Sequence, residues 1–112
     1  MSDYQNRDDL GLARELIALA PTEAKAFLGM KAAAERSDGV IPDKYRELIS
    51  IAVALATQCA YCIDAHTKNA VQAGATREEI AETAFIAAAL KAGAAVGHGL
   101  LALRLFDEAG AR

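Results

Sequence analysis

The chain has 112 residues and a mass of 11.8 kDa, which is the size of one domain, so we predict a single domain over residues 1–112. Its formal net charge is −3 and its sequence pI is about 5.3, which argues against a protein that binds a nucleic-acid backbone. Hydrophobic residues make up 54% of the chain and charged residues 24%, which excludes an intrinsically disordered protein. With 27 alanines and two prolines, the composition predicts an all-α fold.

Six helical segments are predicted from the periodicity of apolar residues and from turn signals. The first ends at Pro21, and the third begins after Pro42, because proline suits the first turn of a helix. The last two are separated by glycines that we expect to weaken or kink the helix. The segments run over about 10–20, 22–36, 43–56, 58–73, 76–92 and 100–106.

Two short signals set the boundary between the fourth and fifth helices. Gly74 follows the last apolar residue of the fourth helix and predicts a C-cap. Thr76 followed by Glu79 predicts a capping box at the start of the fifth helix.

The N-terminus and the apolar segments carry no recognisable targeting signal. Residues 1–9 are polar, unlike a signal peptide, and the uninterrupted apolar runs 51–56 and 84–90 are too short to span a bilayer. We therefore expect a cytoplasmic protein that does not enter a membrane. In that reducing compartment, Cys59 and Cys62 are not expected to form a structural disulfide, so they need another role.

Cys59, Cys62 and His66 form a Cys-x-x-Cys-x-x-x-His motif in the fourth helix. On a helix these positions are i, i+3 and i+7, so the three side chains share one face, which we expect to point toward the core. Cys59 lies near the start of the helix, where unpaired N–H groups and the helix dipole stabilise a thiolate.

Glu47 on the third helix is predicted to reach His66. It lies eleven residues before the turn near Gln58 and His66 lies eight after it, a mismatch of about 4.5 Å along antiparallel helices. Side chains of this length can bridge that distance directly or through one water. A carboxylate, an imidazole and two thiols would then meet in one partly dry pocket, which suits activation of a thiol by a general base.

These residues and their spacing resemble the signature of the carboxymuconolactone decarboxylase and alkylhydroperoxidase D superfamily. The resemblance covers about 42–90, including the helix start at 74–80. It implies an oligomeric helical domain, assembled as a trimer or hexamer, with Cys59 and Cys62 as a redox-active pair and Glu47 and His66 as its proton relay. The thiol chemistry expected of these residues requires no metal and no organic cofactor. Tyr61 departs from the alkylhydroperoxidase pattern, which usually has histidine there.

The predicted function is a thiol-dependent oxidoreductase that reduces hydroperoxides or exchanges disulfides. In the favoured cycle Cys62 attacks the peroxide, Cys59 closes the disulfide and a cellular dithiol reduces it again. The position of Cys59 at the helix start favours the opposite assignment for disulfide exchange, so the two roles remain interchangeable.

Other interpretations are compatible with the same residues. The cysteines could be small core residues, or zinc ligands with His66, although about 10 Å of helical rise between Cys59 and His66 strains one tetrahedral site. Glu47 could be paired with Lys44 or Arg46 on its own helix.

Two other functions are also open. A cofactor-free decarboxylase or related lactone enzyme would use Glu47 and His66 without the thiols. A non-catalytic protein could use its alanine-rich faces only to assemble. Residues 84–90 are apolar on every side of the helix, which favours a homo-oligomer whichever function is correct. His98 is interpreted as structural.

Overall fold

The computed structural model describes residues 4–111, and throughout these the fold is all-α, as predicted. A 3₁₀ helix, Arg7–Leu12, leads into α1, Ala13–Leu19. The other helices are α2, Pro21–Ala34; α3, Asp43–Thr57; α4, Ala60–Gln72; and α5, Arg77–Gly110.

The buried core lies where α3 meets α4 and the first turns of α5. Its three apolar members are Ile51, Ala54 and Ala70, each at most 3% exposed, and Thr83 of α5 is 8% exposed. Since α3 packs against both α4 and α5, it is the central helix of the chain. This arrangement fixes the face of α3 that carries Glu47.

A tight turn makes α3 and α4 an antiparallel hairpin. Gln58 ends α3 in the left-handed region, with φ 58° and ψ 46°, and the Cys59 N–H donates to the Ala54 carbonyl at 2.9 Å. An α-helix commonly ends in this conformation because it reverses the chain while satisfying the last carbonyls. The turn therefore brings the start of α4 back alongside the end of α3.

Both predicted signals between α4 and α5 are confirmed. Gly74 follows α4 with φ 85°, a conformation that glycine adopts without a steric penalty. The Thr76 hydroxyl accepts from the Glu79 N–H at 3.1 Å, while the Glu79 carboxylate accepts from the Thr76 N–H at 2.8 Å.

The predicted break in the fifth helix is wrong, because α5 is one continuous helix of 34 residues. Each of Gly93, Gly97 and Gly99 costs about 1 kcal/mol relative to alanine in a helix, but the surrounding alanines and leucines are strong helix formers. As one helix, α5 is long and apolar enough to span a bilayer, whereas the run 84–90 alone is too short. Over 18 residues its mean hydropathy is 1.6 with no residue buried, so by length and composition alone it could cross a membrane. Core helices of soluble proteins can have the same length and hydropathy.

Outside the α3–α4 hairpin the chain is open. Its radius of gyration is 18.8 Å, whereas a compact domain of this length has about 13 Å. Among the described helices, only α1 packs closely against α2, although an α3 side chain binds the last carbonyl of α2. The C-terminal half of α5 contacts no other helix closely enough to bury a residue there.

Candidate functional site

Cys59 and Cys62 are joined by a disulfide at the start of α4. Cys59 is the N-cap residue, its Sγ accepts from the Cys62 N–H at 3.3 Å, and the two Cα atoms are 5.3 Å apart. The bond closes a ring within one helix turn, so it does not hold distant segments together. Its position thus fits a redox role better than a structural one.

The expectation that both sulfurs point into the core is wrong for this single chain. Cys59 is half-buried, but Cys62 is exposed, because α3 covers only part of this face of α4. A thiol at position 62 would be open to a small substrate. The dry pocket expected from the helical face is not completed by the described residues.

Glu47 and His66 make the direct contact that the helix register predicts. Oε2 of Glu47 lies 2.6 Å from Nδ1 of His66, and their side chains are only 17% and 13% exposed. A short contact between these groups orients the imidazole ring and fixes which nitrogen faces the carboxylate. The interpretation of Glu47 as the partner of Lys44 or Arg46 is wrong.

Those two basic residues bind elsewhere. Lys44 lies 2.9 Å from Glu79 at the start of α5, and this pairing raises the pKa of Lys44 and lowers that of Glu79. Arg46 donates from Nε to the Ile41 carbonyl at 2.9 Å and from Nη1 to the Ala34 carbonyl at 2.6 Å. Glu47 is left to His66.

A second carboxylate at His66, from Glu35, was missed by the sequence analysis. Oε1 of Glu35 lies 3.3 Å from Nε2 of His66, while Oε2 lies 2.5 Å from Nζ of Lys31. Glu35 is the residue directly after α2, outside the hairpin that contains the motif. The spacing of Lys31 and Glu35 predicts their own pairing on one helix face, but no pattern in the sequence indicates that the end of α2 reaches α4.

A shallow cavity of about 300 Å³ lies beside Cys62, and we name it the thiol cavity. Cys62 and His66 line it together with residues of α3, most of them apolar. The α3 residues are Ile49, Ser50, Val53, Ala54 and Thr57. A small molecule in this cavity would lie against the sulfur of Cys62 and near the imidazole.

Tyr61, between the two cysteines, holds the N-terminal 3₁₀ helix. Its hydroxyl donates to Oδ2 of Asp9 at 2.6 Å, and Arg7 pairs with Asp64 at 2.8 Å. The hydrogen bond raises the pKa of Tyr61 and lowers that of Asp9. Tyr61 thus acts as an anchor for the preceding segment, a role that its position in the motif did not indicate.

The zinc interpretation finds no support in this geometry. Across residues 4–111 no three His, Cys, Asp or Glu side chains are arranged to hold a metal ion. The sulfurs are bonded to each other, and both nitrogens of His66 face carboxylates.

Comparison with known proteins identifies a family and several relatives that the chain resembles in sequence and fold. The sequence profile of the carboxymuconolactone decarboxylase family matches residues 21–105. The chain is 36% identical over 87 residues to an uncharacterized protein of Cupriavidus necator, with 78% of this chain and 76% of that protein covered. It is 44% identical over 72 residues to "Uncharacterized protein 4 in cox locus" of Paracoccus denitrificans, a match of 64% of this chain that spans 65% of that relative's length.

Two crystal structures share the fold. A protein of Methanobacterium thermoautotrophicum superposes with a TM-score of 0.71 at 32% identity, covering 81% of this chain and 98% of that one. The apo form of a carboxymuconolactone decarboxylase family protein of Legionella pneumophila superposes with a TM-score of 0.68, also at 32% identity, covering 91% and 90%.

Proposed function

The chain belongs to the carboxymuconolactone decarboxylase family, and on this basis we propose that it is a thiol-dependent oxidoreductase acting through Cys59 and Cys62. Members of the family are generally enzymes. The observation that carries the proposal is a disulfide at a helix start, one turn before a histidine that a carboxylate orients. A decarboxylase needs no such pair. A thiol peroxidase or disulfide exchanger needs both sulfurs and a base.

In the proposed reaction His66 accepts the proton of the Cys62 thiol. The thiolate attacks the outer oxygen of a hydroperoxide, the O–O bond breaks, and the leaving alkoxide takes the proton to become an alcohol. Cys62 is now a sulfenic acid. The Cys59 thiol displaces water from it and forms the disulfide, and a dithiol from the cytoplasm then reduces the pair by exchange while becoming a disulfide itself. Without a peroxide, the last step alone is disulfide exchange.

The surroundings of Cys62 support this role. The sulfur is exposed, the thiol cavity beside it admits a small substrate, and His66 lies four residues further along α4, one turn away. Glu47 holds the ring through Nδ1, which stabilises the imidazolium that forms when the thiol loses its proton. Cys59 is at the helix start, where the dipole favours a thiolate as the leaving group.

The test measures both halves of the cycle in the wild-type protein. Mild oxidation of the reduced protein should remove two hydrogens from the tryptic peptide 47–68, which carries both cysteines, and a dithiol should restore them. Peroxide consumption should depend on the dithiol and vanish in Cys62→Ser. If both thiols stay free under oxidant in the folded protein, the proposal is wrong.

The competing function is a cofactor-free decarboxylase or lactone enzyme. The specific observation in its favour is that His66 has two carboxylate partners, an acid–base arrangement that is complete without sulfur. Alkylating the reduced cysteines separates the two functions. A lactone enzyme would keep its activity after alkylation, whereas the oxidoreductase would lose it.

A further inference from the structure

His66 lies between two carboxylates that reach it from different parts of the chain. Glu47 of α3 faces Nδ1 at 2.6 Å, and Glu35, after α2, faces Nε2 at 3.3 Å. The Glu47 contact is a hydrogen bond, whereas the Glu35 contact is an ion-pair distance without hydrogen-bond geometry. Nε2 therefore remains free to take a proton, and the imidazolium that results would face a carboxylate at each nitrogen.

The charged groups around the imidazole form one row with it. Lys31 neutralises Glu35 through its other oxygen, at 2.5 Å. The row Lys31, Glu35, His66, Glu47 therefore carries a net charge of −1 with a neutral ring and of zero with an imidazolium. A thiol of Cys62 that loses its proton to His66 would leave this row neutral.

The position of Glu35 is held by α3 itself. Arg46, next to Glu47, donates to the carbonyl of Ala34, next to Glu35, and to the carbonyl of Ile41 in the same loop. Its guanidinium lies over Gly39, where an added Cβ would fall 1.7 Å from a guanidinium nitrogen. Adjacent residues of α3 thus bind the loop and the imidazole together.

The two carboxylates also line a separate space. Glu35 and Glu47 face a cavity of about 350 Å³, which we name the polar cavity, with Ser37, Asp43, Asn69 and Gln72. His66 and Cys62 line the thiol cavity. The imidazole thus lines the largely apolar thiol cavity, while its two neighbouring carboxylates line the polar cavity.

We propose that Glu35 is a positioning residue of the proton relay: its carboxylate, 3.3 Å from Nε2 of His66, stabilises the imidazolium that forms when this nitrogen takes the proton of Cys62. The inference rests on the proposed thiol chemistry. The charged groups that face this relay are Lys31, Glu35, Asp43 and Glu47, with Cys62 as the proton donor. The proton moves from the thiol to Nε2 of His66 and from there to the leaving alkoxide.

The experiment follows the rate of alkylation at Cys62 against pH in the reduced protein, with the alkyl group located by fragmentation of peptide 47–68. In Glu35→Gln the imidazolium loses a partner, so we expect the profile to move up by about one pH unit, a tenfold lower rate below the midpoint. If Glu35 acted only as a charge near the sulfur, its removal would move the profile down. A downward shift or a superimposable profile overturns the proposal.

Two further variants sharpen the result. Lys31→Met removes the cation that neutralises Glu35, so Glu35 should stabilise the imidazolium more strongly and the alkylation profile should move to lower pH. If Lys31 acted only as a cation near the thiolate, its loss would move the profile to higher pH. Glu23→Gln, an exposed glutamate at the start of α2, is the matched control and should follow wild type. An equal shift in Glu23→Gln overturns the proposal. Failure of the wild-type pair to cycle between dithiol and disulfide is a separate result, which concerns the proposed function alone.

Discussion

The α3–α4 hairpin and the C-terminal half of α5 use similar residues in opposite ways. Both are rich in alanine and aliphatic side chains. The hairpin contributes Ile51, Ala54 and Ala70 to the core and carries the disulfide and the Glu47–His66 contact. Residues 92–110 of α5 are exposed throughout, including Leu100, which is 71% exposed.

The difference indicates which contacts one chain can make by itself. Short loops bring α3 and α4 together, so the polar contacts of the site form within the chain. An apolar helix that projects from its own core has no surface of the same chain to cover it. We propose that copies of the chain cover it, as a homo-oligomer of three or six subunits, and that assembly also encloses the exposed Cys62.

The strongest test of the hairpin is Glu47→Gln, which keeps the size of the side chain but removes the charge that holds His66. We expect the fold to be intact and peroxide turnover to fall by roughly 10²–10⁴-fold, the range for a lost acid–base group. The matched control is Glu108→Gln in the projecting half of α5, which should leave turnover unchanged. Activity equal to wild type in Glu47→Gln would remove this carboxylate from the mechanism.

The projecting half of α5 is tested by Leu100→Asp. Burying one leucine contributes about 1.5–3 kcal/mol, so placing a charge there should dissociate a trimer or hexamer at micromolar concentration. Sedimentation velocity measures the result, and Leu100→Met should remain assembled. A wild-type protein that sediments as a stable monomer contradicts the assembly. So does a monomer that pellets with lipid vesicles, because α5 would then be serving a bilayer.

The sequence predicted the α3–α4 hairpin better than it predicted the segments before and after it. The capping box at Thr76, the C-cap at Gly74 and the reach from Glu47 to His66 all depend on residues close in sequence or related by helix periodicity. Each is a local property of the chain, so a pattern can reveal it. The continuity of α5 could not be predicted in the same way, because three unfavourable glycines compete with many favourable neighbours and only the sum decides.

The two unpredicted contacts of the site both cross between elements. Glu35 reaches His66 across a loop, and Asp9 reaches Tyr61 from the N-terminal 3₁₀ helix, 52 residues earlier in the chain. Neither partner carries a signal in the sequence that points to its contact with α4. Such contacts depend on where loops place their ends, which one sequence does not specify.

The attachment of the N-terminal 3₁₀ helix should depend on pH in both directions. The pKa of Asp9 is lowered by its hydrogen bond to Tyr61, so this contact stabilises the folded state above about pH 4 and is lost as pH falls through the lowered value. The pKa of Tyr61 is raised by the same bond, so the contribution is present below about pH 10 and is lost as pH rises through the raised value.

Tyr61→Phe removes this bond without changing the ring. At neutral pH we expect residues 6–12 to exchange their amide hydrogens a few-fold faster, while the amides of α3 exchange as in wild type. The variant and wild type should converge as pH falls through the lowered pKa of Asp9. Tyr45→Phe, on α3, is the matched control. Unchanged exchange in Tyr61→Phe at neutral pH would mean that Arg7 and Asp64 hold the segment without this bond.

The smallest expected effect concerns the turn that begins the site. Gln58 has φ 58°, a conformation that costs a residue with a Cβ about 1–2 kcal/mol, and Gly74 meets the same need after α4 with φ 85°. Gln58→Gly removes that cost but adds about 0.5–1 kcal/mol of entropy to the unfolded chain, so we expect unfolding in urea to show a gain of no more than about 1.5 kcal/mol. Gly74→Ala should lower stability, since it introduces the strain that Gln58→Gly removes.

The same substitution at Gln58 should leave the disulfide unaffected. Cys59 follows the turn directly, and its N–H donates to the Ala54 carbonyl, a backbone contact that glycine at position 58 preserves. Disulfide formation should therefore proceed as in wild type. A loss of stability in Gln58→Gly would show that the glutamine side chain makes a contribution larger than the backbone cost, and slower closure of the disulfide would show that the turn holds the two sulfurs together.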